Sequence, residues 1–138
     1  LTVEDPVNAE HELQSLFLSH EDLEQALEDV DALIESASSH RIPEEAEVLA
    51  NALDDLRRRI EDHMTAEERW VFPEVLRAGA PIPLIAALTA THARVRELGD
   101  GLDAEPHDPE RARKWLRAFR EHVGYEERAL SHWLRRAN

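Results

Sequence analysis

Four stretches of the chain repeat apolar residues at intervals of three and four, the spacing that lines one face of an α-helix. The first starts at Asp5-Pro6, a cap followed by proline in the first turn, and runs to the Ser36-Ala37-Ser38-Ser39 cluster. Its seam is Leu13, Leu16, Leu23, Leu27, Val30 and Ile34. The second, from about Pro43 to Leu76, has Leu49, Leu53, Leu56 and Ile60 and then reaches Trp70. The third follows the Gly79-Ala80-Pro81-Ile82-Pro83 turn with Ile85, Leu88, Val95 and Leu102. The fourth opens on Asp108-Pro109-Glu110, a strong helix start, and carries Trp115, Phe119, Ala129 and Trp133. Ala, Leu, Glu and Arg dominate these stretches and glycines are few, which is a helical vocabulary. Short connections make sequential helices neighbours, so the pattern predicts an all-α, antiparallel, up-down-up-down four-helix bundle.

Each seam is interrupted, and each interruption includes a histidine. His20 stands in the first, His63 with Glu67 in the second, His92 in the third, and His122 with Glu126 in the fourth. At about 1.5 Å per helical residue, His20 and His63 lie about 20 and 23 residues either side of the first connection, within about one turn in height. His92 and His122 lie about 12 and 16 residues either side of the third, again within about one turn. The spacing places all four histidines in one layer of the core.

The two His-Glu pairs belong to a repeat, His63-Met-Thr-Ala-Glu-Glu-Arg69 and His122-Val-Gly-Tyr-Glu-Glu-Arg128. With 30 acidic residues in 138, a carboxylate four residues after a histidine also arises by chance, as His20 with Glu24 and His40 with Glu44. The informative feature is that Glu67 and Glu126 share the seam of their histidine, whereas Glu24 falls beside its seam and His40 in a loop. Burying an unpaired carboxylate costs several kcal/mol, and none of the seams offers a Lys or Arg to pair with it. Divalent cations supply the missing charge. Four imidazoles and two carboxylates are too many ligands for one tetrahedral zinc and too rich in nitrogen for calcium or magnesium. They suit two metals bridged by the glutamates: iron, with manganese or zinc as alternatives.

The other polar positions read as surface. His11 is out of phase with His20, His107 sits in a turn, and His132 is off its seam. Glu68 and Glu127 are assigned to the surface beside Arg69 and Arg128. Trp70, Phe72, Trp115, Phe119 and Trp133 are assigned chiefly to the core, and Tyr125 to packing beside the layer.

A length of 138 residues fits one domain spanning residues 1–138. A net charge of −14 argues against a nucleic-acid or anionic-membrane surface, which needs clustered Lys and Arg. No apolar run approaches the roughly 20 residues that span a bilayer, and no signal peptide is visible, so a cytoplasmic location is expected. The first residue is Leu, which is compatible with a flanking domain. The absence of cysteine removes disulfides, thiolate nucleophiles and iron-sulfur clusters.

With its ordered set of His20, His63-x-x-x-Glu67-Glu68 before Trp70-Val71-Phe72-Pro73, Thr91-His92 and His122-x-x-x-Glu126-Glu127, the chain resembles the hemerythrin-like, HHE cation-binding family over nearly its whole length. The resemblance implies a non-heme di-iron centre, with Glu67 and Glu126 bridging and His20, His63, His92 and His122 as terminal ligands. Oxygen-carrying members have a fifth histidine, four residues after the one in the third helix; here that residue is Arg96. Fewer histidines leave positions for a small diatomic or peroxide ligand, which favours reactive or sensing chemistry with O2, peroxide or NO over stable oxygen carriage. The alternative role is an iron-responsive regulatory module whose metal site is structural and whose acidic face meets a protein partner. No catalytic side chain beyond the metal ligands is expected.

Overall fold

A computed structural model describes residues 6–40, 42–105 and 108–137, with side chains described from His20 onward except at positions 134, 136 and 137. The expectations for Asp5 and His107 lie outside the described residues, as do those for the side chains of His11, Leu13 and Leu16.

The described chain is helical, in the order α1 (Pro6–His40), α2 (Pro43–Ala66), one π-helical stretch (Glu67–Val71), α3 (Phe72–Arg77), α4 (Ile82–Ala104) and α5 (Pro109–Ala137). α2, the π stretch and α3 form one unbroken rod, so four long helical elements make a bundle. Their ends follow from local chemistry. The Asp108 carboxylate accepts the backbone N–H of Glu110 at 3.0 Å, capping α5 as Asp-Pro-Glu predicts. Pro43 and Pro83 sit in first turns, where a missing N–H costs nothing. α3 ends because Gly79 adopts φ +104°, a left-handed conformation that suits glycine. Ala80 N–H then reaches back to Val75 O and Gly79 N–H to Leu76 O, satisfying two terminal carbonyls. His40 is the last residue of α1, not a loop residue.

The π stretch alters the predicted face of the second rod. Phe72 N–H bonds to Glu67 O, five residues back, so the rod carries one extra residue in that turn. A proline ring at position 73 would crowd the carbonyl four residues earlier in a regular helix, and the wider turn relieves this. The seam shifts by one position: Val71, Phe72 and Val75 are buried, whereas Trp70 is 46% exposed and is not a core residue. Arg69 lies over the Trp70 ring instead, 5.1 Å from its centroid. A smaller shift occurs in α5, where Leu130 is buried and Ala129 and Trp133 are only partly so.

The apolar core falls into two clusters. The larger joins Leu23, Leu27, Val30 and Ile34 of α1 to Leu49, Leu53, Leu56 and Ile60 of α2, Val95 and Leu102 of α4, and Trp115, Leu116 and Phe119 of α5. The smaller holds Val71, Phe72, Val75, Leu88 and Leu130. Close approach of α4 to α5 at the larger cluster depends on Gly99, where a Cβ would stand 3.0 Å from the Trp115 indole nitrogen. Along α4 and α5 the polar interruptions of the seam, His92 and His122 with Glu126, lie between members of the two clusters, and Glu67 does so on the second rod. Among the described residues, no helix is long and apolar enough to cross a membrane.

Candidate metal centre

His20, His63, Glu67, His92, His122 and Glu126 are the buried polar side chains among the described residues, and the fold brings them together. α1 supplies His20, the end of α2 His63, the π stretch Glu67, α4 His92, and α5 both His122 and Glu126. On a helix, side chains four apart lie on one face, and His122 Nε2 accordingly meets Glu126 Oε2 at 2.7 Å. His63 Nε2 stands 3.3 Å from Glu67 Oε1. Across helices, His20 Nε2 lies 2.8 Å from His63 Nε2, 3.6 Å from Glu67 Oε2 and 3.5 Å from Glu126 Oε1. His92 Nε2 lies 3.2 Å from Glu67 Oε1 and 3.4 Å from Glu126 Oε2.

Two overlapping groups result. His20 and His63 close on one side of the carboxylates, His92 and His122 on the other, and both groups include Glu67 and Glu126. Within each group the donor atoms all lie within 4.8 Å of one another, close enough to share an ion. Ring contacts hold the imidazoles: the His20–His63 and His92–His122 centroids are each 4.5 Å apart, and Phe72 stacks on His92 at 5.3 Å.

Outside this ring of donors stand two residues whose part the sequence did not reveal. The second glutamate of each repeat reaches the histidine of a neighbouring helix: Glu127 Oε1 accepts from His20 Nδ1 at 3.0 Å and Glu68 Oε2 from His92 Nδ1 at 2.6 Å. Glu68 and Glu127 are therefore not merely solvated surface residues. A carboxylate on Nδ1 fixes that nitrogen as an N–H donor and leaves Nε2 facing inward as the nitrogen that would give up its proton to a metal, the arrangement typical of metal-binding histidines. Arg96 holds Glu68 with two hydrogen bonds, at 2.8 and 3.2 Å, and Glu61 with its Nε at 2.7 Å. Arg96 thus turns toward Glu68, not into the core. Tyr125 is exposed and not packed; His132 is exposed, with its ring edge-on to Trp133.

The electrostatics mark a site short of positive charge. Burial opposes the charged form of His20, but Glu126 and Glu67 outweigh it and raise its pKa to about 10. His92 is pushed up to about 9 by the same contest between burial and the carboxylates of Glu126, Glu67 and Glu68. Burial likewise disfavours the Glu126 carboxylate, yet its neighbours, the histidines included, hold its pKa well below the ordinary range. Burial opposes the charge on Glu68 as well, and Arg96 and His92 override it and lower its pKa. Even so, Glu67 Oε1, His92 Nε2, His122 Nδ1 and Glu126 Oε1 are buried without a hydrogen bond. Each such atom costs about 1–3 kcal/mol. Three of the four, the Glu67 and Glu126 oxygens and His92 Nε2, are inward-facing atoms that a cation would satisfy, so the residues present could hold metal.

The model of the hemerythrin HHE cation-binding domain family matches residues 11–134, which include all six buried polar residues. No match was found among curated proteins or among solved structures.

Proposed function

The chain belongs to the hemerythrin HHE cation-binding domain family, and from that premise we propose that it is a non-heme di-iron domain that binds or reacts with O2, peroxide or NO. The observation that carries the reading is the pair of donor groups, two histidines each, that share Glu67 and Glu126. His20 with His63 would hold one ion and His92 with His122 the other, while the two carboxylates would serve both. Imidazole and carboxylate donors suit iron, and manganese or zinc are the alternatives. The metals, when bound, would supply reversible binding and redox activation of a small oxygen or nitrogen species.

The chain's own residues do the rest. Glu68 and Glu127 orient His92 and His20, and Phe72 and Phe119 pack against the imidazoles of His92 and His63. With Arg96 engaged by Glu68 and Glu61, no fifth histidine closes the set. An up-down-up-down course is part of the same reading. α1 and α4 would run from the polar layer into the larger apolar cluster and α2 and α5 out of it, as the cluster memberships along each rod support.

Anaerobic loading with ferrous iron is expected to give about two irons per chain and a visible spectrum that changes on exposure to O2, peroxide or NO. One zinc per chain and an unresponsive spectrum would overturn the proposal. Peroxide disproportionation by wild type and by Glu126→Ala separates an enzyme from a sensor, because equal and negligible rates favour sensing. The four buried atoms without hydrogen bonds also favour a second reading, an iron-responsive regulatory module in which the ions complete the fold.

A further inference from the structure

Given the reading that each pair of histidines holds one ion, we infer that Arg96 is a positioning residue for the metal centre: acting through Glu68, it fixes His92 and makes the His92–His122 side the slower of the two to release its ion. Arg96 stands one helical turn after His92 on α4, so both side chains leave the helix on one face. Glu61 and Glu68, seven apart on the second rod, also share a face. Arg96 reaches both of them. Its Nε donates to Glu61 Oε2 at 2.7 Å, and its two terminal nitrogens donate to the two oxygens of Glu68 at 2.8 and 3.2 Å. Glu68 Oε2 in turn accepts the His92 Nδ1–H at 2.6 Å. A chain of charge-assisted hydrogen bonds therefore runs from exposed Glu61 to fully buried His92. A planar guanidinium with both terminal nitrogens on one carboxylate sets the rotation of that carboxylate as well as its place.

The opposite side has the carboxylate without the clamp. Glu127 accepts from His20 Nδ1 at 3.0 Å, its side chain is 45% exposed against 29% for Glu68, and among the described residues no Lys or Arg pairs with it. An unclamped glutamate surrenders its rotamer freedom each time it holds a ring in place, whereas Arg96 has already taken up that of Glu68. Orientation of the ligand is what an outer carboxylate contributes to a metal site, so the clamped side keeps its ion longer. A second bridge between the same two helices supplies the comparison. Arg57 of α2 reaches Asp100 and Asp103 of α4, both exposed and neither bonded to a residue of the centre. Arg57 braces the bundle without addressing a ligand.

The test loads the protein with zinc to about two ions per chain, mixes it with an excess of a chromogenic chelator and follows zinc transfer by stopped-flow absorbance. Side-chain 15N resonances of the histidines, recorded as zinc is withdrawn, show which pair empties first. Wild type is expected to lose zinc in two phases of equal amplitude, His20 and His63 responding in the fast one and His92 and His122 in the slow one. Arg96→Gln should speed the slow phase about tenfold, the lower end of the loss expected for a residue behind a metal ligand, and leave the fast phase unchanged. Glu68→Gln should speed it at least as much, and the double variant no more than Glu68→Gln alone, because Arg96 acts through that carboxylate. Arg57→Gln should alter neither phase, which sets positioning apart from a general loosening of the bundle. If Arg96→Gln does not fold, Glu61→Gln, which frees the outer end of the clamp at an exposed residue, should speed the slow phase about threefold, the worth of one exposed ion pair. Release at a single rate, a slow ion at His20 and His63, additive effects of the Arg96 and Glu68 substitutions, or an equal effect of Arg57→Gln overturns the inference, while two bound zinc ions leave the two-ion reading intact. A chain that binds a single zinc contradicts that reading, and the inference falls with it.

Discussion

Glu68 and Glu127 do more than their position in the sequence suggests. Each sits one residue, about 100° of helical rotation, past an inward glutamate, and each carboxylate grips the Nδ1 of a histidine on another helix. Removing the charge while keeping the shape, by Glu68→Gln or Glu127→Gln, should lower metal affinity by about 10- to 100-fold; Glu24→Gln, on an exposed residue, should leave it unchanged. Competition with a chelator of known affinity measures both. The histidines also set a pH dependence in the metal-free protein. Because His20 and His92 have folded pKa values of about 10 and about 9, above the ordinary 6.5, their stabilisation is complete below pH 6.5 and is lost as pH rises through 9 to 10. Glu126 has the opposite sign, contributing above its ordinary 4.5 and losing that contribution as pH falls further. Urea unfolding of the metal-free chain should therefore show greatest stability between about pH 4.5 and 6.5. At pH 7 the protonated His20 and His92 must give up their protons to a metal, so loading in weak buffer should release about two protons per chain. The six inward residues were legible in the sequence because polar residues on an apolar seam are conspicuous. Glu68 and Glu127 were not, since their partners lie on helices that only the fold brings near.

At the scale of the element, the π stretch decides which face of the second rod is buried. A strict period of 3.6 puts Trp70 inward after Glu67, and the extra residue in the turn rotates every later position by about 100°. Trp70 was misassigned for that reason, and the cue in the sequence was Pro73, three residues on. Deleting Trp70 would restore regular spacing, bringing Val71, Phe72 and Val75 to three, four and seven residues after Glu67. It would also leave the proline in a regular helix, at a cost of about 3 kcal/mol. Denaturant unfolding should show that loss in the deletion variant and recover most of it when Pro73→Ala is added. An undiminished stability in the single deletion would mean that the wide turn does not accommodate the proline. The helix ends, in contrast, were readable from short motifs, because Asp108-Pro109 and Gly79 act through their own backbone neighbours.

For the whole molecule, the polar layer divides the core, and its cost and its use are inseparable. Two apolar clusters lie either side of six polar side chains, four atoms of which are buried without hydrogen bonds. Metal that binds only the folded chain should raise stability by mass action, about 4 kcal/mol at a thousandfold excess over Kd. Calorimetry of metal-free and metal-loaded protein should therefore show a clear rise in Tm on loading. Equal melting temperatures would remove the regulatory reading in which ions complete the fold. The all-helical architecture was legible because four seams carry it redundantly, so a local phase error at Trp70 or Ala129 left the assignment of the rods intact. The central claim, that Glu67 and Glu126 serve two ions at once, is tested most directly by crystals of iron-loaded protein measured at the iron absorption edge. Two anomalous peaks per chain are expected, one against His20 and His63 and one against His92 and His122, each touching both glutamates. A single peak, or peaks away from these carboxylates, would contradict it.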